Sequence, residues 1–240
     1  MNDNFVDPYI NPRTGILSNL VNAKTQDQLD ASEYAMTWLR RQELERSPIS
    51  EKFDLALLQD IHHTLFQDVY PWAGQLRTIE IGKGGSWFHN CNRFDPAAQW
   101  TFDYIRDSPL VNPNCGDDEF VVAAAEALSR INYMHPFREG NGRTQRAFLD
   151  MLAKVSGRTL AWRNVSKEEN LRASIAAMQT GEGAAFQELM TKIIKSAADG
   201  LSLLDDRLYE TASQFDISDS EPRPSSPIFS KIENYSKTNF

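Results

Sequence analysis

One short stretch gathers most of the chemistry this chain can offer: His135-Pro136-Phe137-Arg138-Glu139-Gly140-Asn141-Gly142-Arg143-Thr144-Gln145-Arg146. His135 is the one group in it whose ordinary pKa suits general-base work near neutrality. Glu139 can serve as one of the few protein carboxylates that Mg²⁺ takes alongside phosphate oxygens. Apolar residues at helical spacing lead in (Ala123, Ala124, Leu128, Ile131) and lead out (Phe148, Leu149, Leu152, Ala153). A tight loop that opens a helix near Gly142 is therefore expected. The first N–H groups of a helix lack internal partners and carry the positive end of its dipole. Gly140 and Gly142 would let an anion approach that backbone closely. Arg143 and Arg146 then stand where the dipole disfavours cations by roughly 0.3–1 kcal/mol each. An anion from outside reverses that sign, so a polyphosphate is expected. A base, a metal carboxylate, an anion nest and two arginines suit phosphoryl or nucleotidyl transfer, in which positioning and electrostatics dominate.

Other chemistries fit less well. A zinc site lacks His-Glu-x-x-His or a Cys/His array. A Walker-type phosphate loop is absent, and Lys83-Gly84-Gly85 reads as a turn. His62 and His63 read as ordinary surface or helix-end histidines, and His89 as structural or exposed. Trp87 and Phe88 fit hairpin packing and substrate contact equally well.

The elements that must position this stretch are mostly helical. Thr25 with Gln28 resembles a capping box, ahead of Ala31, Tyr34, Ala35, Trp38 and Leu39 on one expected face. A second helix is predicted from Asp54 to Phe66, with Leu55, Leu58, Ile61 and Leu65 aligned. Asp95-Pro96 is expected to open a third as N-cap and first helical residue. A fourth is predicted from near Asp117 to Tyr133, and Gly157 stands where the catalytic helix should end. Ser166 and Glu169 form another capping box, and a last helix is predicted from Ala184 to Leu208. One β-hairpin interrupts the pattern between Leu76 and Phe88, where alternation surrounds a glycine-rich turn. A lone hairpin is marginal, so it must lie on the helices and present one edge with unpaired backbone groups. The span 213–240 is rich in Ser, Pro, Asp and Asn and is expected to be a disordered or loosely docked tail.

Size and composition permit one domain over 1–212 followed by that tail. Apolar residues make up 41% of the 240, as in ordinary globular chains. No long apolar run suggests a membrane span, and the N-terminus shows no secretory signal pattern. The net charge of −8 argues against direct nucleic-acid binding. Cys91 and Cys115 are expected to be free thiols in a reducing cytoplasm.

The stretch 135–146 matches, at every specified position, the Fic-family signature His-x-Phe-x-(Asp/Glu)-Gly-Asn-Gly-Arg-x-x-Arg. Tyr70-Pro71-Trp72-Ala73-Gly74-Gln75-Leu76-Arg77 and the hairpin after it resemble the segment leading into that family's target-docking flap. The resemblance spans about residues 5–200 and implies a mainly α, Fic-type helical fold with one β-hairpin flap. It implies a protein adenylyltransferase that moves AMP from ATP, with Mg²⁺, onto a hydroxyl of a target protein. His135 would be the base, Phe137 would pack beneath the loop, and Glu139 would hold the metal. Gly140, Asn141 and Gly142 would form the anion hole. Arg143 would contact the β/γ-phosphates, and Arg146 would help hold the γ-phosphate. Arg77, Ile79, Ile81, Lys83, Gly84 and Phe88 would make up the docking flap. The Doc branch, which transfers phosphate, resembles this motif but typically has Lys where Gly142 stands, so AMP transfer is favoured. The alternatives are a Doc-like phosphotransferase and an inactive binding module. Compact bacterial toxins of this type act on type II topoisomerase subunits in the cytoplasm, whereas other relatives are injected effectors. Relatives are commonly restrained by a helix bearing Ser/Thr-x-x-x-Glu-Gly/Asn, whose Glu pairs with the second motif arginine. Glu169, Glu182 and Glu233 are near misses, with Val165, Met178 and Phe229 where Ser or Thr is needed. A separate antitoxin-like protein supplying a Glu to Arg146 is therefore expected.

Overall fold

A computed structural model describes residues 6–83, 85–196, 216–218 and 227–239. Its helices are α1 (Gln26–Arg46), α2 (Leu55–Phe66), α3 (Phe94–Asp107), α4 (Asp117–Met134), α5 (Asn141–Val155), α6 (Lys167–Thr180), α7 (Ala184–Ile193) and α8 (Pro227–Asn239). Strands β1 (Glu80–Lys83), β2 (Ser86–Trp87) and β5 (Asp216–Ser218) form one antiparallel sheet in the order β2-β1-β5. Strands β3 (Arg158–Leu160) and β4 (Ile194–Ser196) form a second. The mainly helical expectation holds.

Helix α4 sits at the centre because it is apolar nearly all round. Phe120, Ala123, Ala124, Ala125, Ala127, Leu128 and Ile131 are all buried, and the alanines let neighbouring helices close in. Helix α5 packs against both α2 and α4 and buries Ala147, Phe148, Leu149 and Leu152. Local signals set several ends. The Asp54 carboxylate accepts from the Leu57 N–H at 2.9 Å, and Ser166 and Glu169 exchange the two bonds of a capping box.

Several expectations are corrected. The apolar series on α1 is exposed: Tyr34, Trp38 and Leu39 are 44%, 37% and 53% accessible. Its buried face instead carries Leu29, Glu33, Thr37, Arg41 and Leu44, because charged residues of α5 await those polar groups. Helix α3 begins at Phe94 behind Arg93, which places Asp95 in the first turn rather than at the cap. The hairpin strands start at Glu80, so Arg77 and Ile79 precede them. Helix α7 stops at Ile193, where the chain extends to pair with β3, and 197–208 lie outside the described residues. Within the expected loose tail, β5 pairs with β1 and α8 is docked on α3 and α6. Pro227 takes the first helical position, which needs no N–H. Ile228 and Ile232, one turn apart, are buried. The Lys231 ammonium donates to the Gly181 carbonyl at 2.6 Å, and Glu233 pairs with Arg93 at 2.8 Å.

Candidate active site

His135 ends α4 in the left-handed region, with φ of 42°. That turn stops the helix and swings the chain into the loop. The side chains of the site have little exposure to solvent: His135, Glu139, Asn141, Arg143 and Arg146 are all buried. The His135 ring stacks on Phe88, with centroids 3.7 Å apart. Phe88 therefore packs against the imidazole. The ring's Nδ1 lies 3.2 Å from the Asn132 carbonyl, to which only an N–H can donate. The tautomer so selected keeps its lone pair on Nε2. Burial, reinforced by the Arg77 and Lys83 charges, holds the ring well below the usual histidine pKa. His135 is a neutral base throughout the physiological range.

Arg77, expected in the docking flap, is an interior strut. Its guanidinium donates to the carbonyls of His135 at 2.9 Å, Ile79 at 2.6 Å, and His89. Its backbone N–H adds a bond to the Pro136 carbonyl at 2.8 Å. The hairpin is thus tied directly to the loop that begins at His135. The Ile79 and Ile81 side chains are also buried, and Lys83 is partly so. Gly84 lies outside the described residues. A cleft between the hairpin and α6 is lined by Lys83, Phe88, His135, Leu171, Ile175 and Met178. An acceptor side chain entering there meets His135 directly.

The loop is held closed by its own side chains. Asn141 accepts from the Phe137 N–H at 3.0 Å and donates to the Phe137 carbonyl at 2.8 Å. Its amide is thereby committed to the loop, leaving only its backbone for an anion. Arg138 makes a buried pair with Asp7, at 2.8 and 3.0 Å. Gly140 has φ of 83°, and a Cβ there would come within 2.3 Å of the Phe66 ring. Gly140→Ala is expected to lose both ways, through left-handed strain of about 1–2 kcal/mol and overpacking of about 1–3 kcal/mol. Gly157→Ala is the matched control, since it shares the left-handed backbone but has nothing within 4 Å. Thermal unfolding should show a markedly larger loss for Gly140→Ala; equal losses would mean that Phe66 yields.

His62, expected at the surface, is fully buried beneath this loop. Its Nδ1 accepts from the Gly74 N–H at 2.7 Å, so Nε2–H donates to the Glu139 carbonyl at 3.0 Å. Its ring stacks on Phe137 at 3.8 Å. Burial pushes its pKa down to about 3, so it stays neutral. His62 bridges the segment before the flap to the backbone of Glu139.

The two motif arginines differ. The Arg143 guanidinium forms an ion pair with Glu33 of α1, lies 3.7 Å from Glu139 and covers the Phe66 ring. The anion offsetting its place at the helix N-terminus is therefore internal, and a polyphosphate is not needed to explain Arg143. Tyr70 donates to the other Glu33 oxygen. The Arg146 Nη1 lies 3.4 Å from where a Cβ on Gly142 would stand, over the opening of α5. The Glu139 Oε2 is buried with no hydrogen-bond partner among the described residues. Burial, and then repulsion from Glu33, raise the Glu139 pKa. An orphaned, crowded carboxylate oxygen beside an anion nest fits a hard cation that arrives with phosphate.

Local spacing could not assign Glu33, Asp7, His62 or the strut role of Arg77. Glu33, Thr37 and Arg41, at i, i+4 and i+8, did form a polar series that could have marked a buried polar face.

The sequence pattern of the Fic/DOC family matches residues 52–153. The chain is also 31% identical over 193 residues to Fic of Escherichia coli strain K12, named a probable protein adenylyltransferase. That match covers 80% of this chain and 94% of the relative. This chain belongs to the Fic/DOC family. Protein adenylyltransferase VbhT of Bartonella schoenbuchensis is 41% identical over 170 residues, which are 70% of this chain but 35% of VbhT. The Fic/DOC chain described here thus spans about a third of that relative. A solved structure, the N-terminal Fic domain of a VirB-translocated Bep effector protein of Bartonella quintana with bound ADP, shares the fold. It superposes with a TM-score of 0.74 at 25% identity, covering 80% of this chain and 96% of the other.

Proposed function

We propose that this Fic/DOC chain transfers AMP from ATP to a Ser, Thr or Tyr hydroxyl of a target protein. The observation that carries the reading is the tautomer of His135, which puts the proton on Nδ1 and a basic lone pair on Nε2 in a residue that lines the cleft beside the hairpin. Relatives named as adenylyltransferases and a structural neighbour holding ADP support it. The acceptor oxygen attacks the α-phosphorus while its proton passes to His135 Nε2. The bond from the α-phosphorus to the bridging oxygen breaks, and pyrophosphate leaves. Gly140, Asn141 and Gly142 present backbone N–H groups to the phosphates, and Arg146 neutralises the leaving end. Glu139 would hold Mg²⁺, which would supply positive charge to offset that of the phosphates. Arg143, engaged by Glu33, fixes α5 and contributes its charge from behind. Gly142 stands where the phosphate-transferring Doc branch typically has Lys, and this supports AMP over phosphate as the transferred group.

The target docks by adding a strand to the hairpin, because buried side chains leave chiefly the backbone edge to be read. Type II topoisomerase subunits are the targets that go with this reading, and the bacterial cytoplasm is the compartment. No described helix is long and apolar enough to cross a membrane. A separate small antitoxin-like protein supplies a Glu to Arg146, since the near-miss Glu233 pairs with Arg93 instead. Incubation of a bacterial lysate with ATP labelled at the α- or the γ-phosphate tests the donor chemistry. Protein labelling from the α-position alone is expected. Labelling from the γ-position alone would make this a phosphotransferase.

A further inference from the structure

The outer edge of the hairpin is already occupied. Strand β5 pairs antiparallel with β1, with Glu80 opposite Ser218, Ile81 opposite Ile217 and Gly82 opposite Asp216. The Phe88 N–H donates to the Ile81 carbonyl at 3.1 Å, so the polar groups of Ile81 face β2. Alternation along a strand then turns the N–H and C=O groups of Glu80 and Gly82 toward β5. Ser218 and Asp216 are their hydrogen-bonding partners, and the Ile217 N–H points away. The edge that would accept a target strand is filled by the chain itself.

We propose that residues 216–218 act as an intramolecular competitor for the target strand, so that the C-terminal segment gates target access without touching the nucleotide. The proposal rests on docking by strand addition, as set out above. Two anchors hold the competitor in place. Upstream, β4 is paired to β3. Downstream, only eight residues separate Ser218 from Pro227, where α8 begins. Helix α8 is fastened by buried Ile228 and Ile232, by Lys231 on the Gly181 carbonyl and by the Arg93–Glu233 pair. An occupant tethered this closely competes at an effective concentration on the order of millimolar. A free segment of similar affinity would lose to it. A three-residue strand is nonetheless short, so a target with a longer matching segment, or a partner that draws α8 off, can displace it. The inhibition differs in kind from a Glu placed on Arg146, because it leaves ATP binding intact.

The test uses the full chain carrying Asp216→Pro and Ser218→Pro together, which removes both N–H donors aimed at β1. Ile217→Pro is the matched control, because its N–H makes no bond to β1. Hydrogen exchange at the Glu80 and Gly82 amides, ATP affinity by calorimetry and lysate labelling from α-labelled ATP are measured for all three proteins. The double variant is expected to exchange those two amides at least about tenfold faster, to bind ATP within about twofold of the parent and to label proteins several-fold more strongly. The control is expected to resemble the parent. Unchanged amide protection, or faster exchange with unchanged labelling, overturns the gate while leaving the transferase reading intact. Indistinguishable behaviour of the double variant and the control also overturns it. Absence of labelling from every protein, with the amides released, overturns both the gate and the transferase reading.

Discussion

Replacing His135 by Ala is expected to lower AMP transfer by ~10²-fold or more while changing ATP affinity by no more than a few-fold. A general base acts in the transition state, so its loss should appear in kcat and leave ground-state nucleotide binding alone. The structure gives this division a physical basis. His135 lies on the hairpin side of the site, stacked on Phe88 and lining the cleft by which an acceptor would enter. The nucleotide would be held from the other side, by the opening of α5 and by Arg146. The same arrangement sets the pH response. Burial, Arg77 and Lys83 keep the imidazole neutral below the ordinary histidine range, so the acid limb of the rate profile should fall below about pH 6.5. A folded-state pKa below the unfolded one also means that stability is full above about pH 6.5 and is lost as pH falls below it through the depressed folded-state value. If expression of this chain in cells arrests growth, His135→Ala should suppress that arrest. Near-normal turnover in the variant, or growth arrest that survives it, would remove His135 from the base role.

Glu139→Ala is expected to abolish the dependence of transfer on divalent cation together with most activity, again by ~10²-fold or more, because a metal's charge stabilisation is worth several kcal/mol. Thermal stability without nucleotide should stay level or rise. One oxygen of this buried carboxylate has no hydrogen-bond partner among the described residues, and Glu33 stands close enough to repel it. Removing such a group relieves a penalty of about 1–3 kcal/mol. Arg143 keeps its partner in Glu33, so the loss of Glu139 does not strand a buried charge. Activity and stability should therefore move in opposite directions, the signature of a group kept for function. A variant with preserved cation dependence would show that the metal is held elsewhere. A sharp loss of stability with cation dependence unaltered would make Glu139 a structural residue.

What sequence alone determined here is local. The catalytic loop was legible because a base, a carboxylate, two glycines and an arginine pair fall within one stretch, and because flanking apolar periodicity forces a loop-to-helix junction there. The helix starts at Asp54 and Ser166 were legible for the same reason, since a cap joins residues three apart. Tertiary structure decided everything that depends on which distant group faces a buried polar side chain. Glu33 meets Arg143 across 110 positions, Arg138 meets Asp7 across 131, and His62 reaches the Glu139 carbonyl across 77. No local spacing encodes such pairs, yet they overrode the apolar pattern of α1. Leaving charged groups of α5 buried without partners would cost more than exposing Tyr34, Trp38 and Leu39. The C-terminal segment follows the same logic. Its Ser- and Pro-rich composition reads as loose, but three residues of it find an open strand edge, and Ile228 and Ile232 bury against the helices already in place.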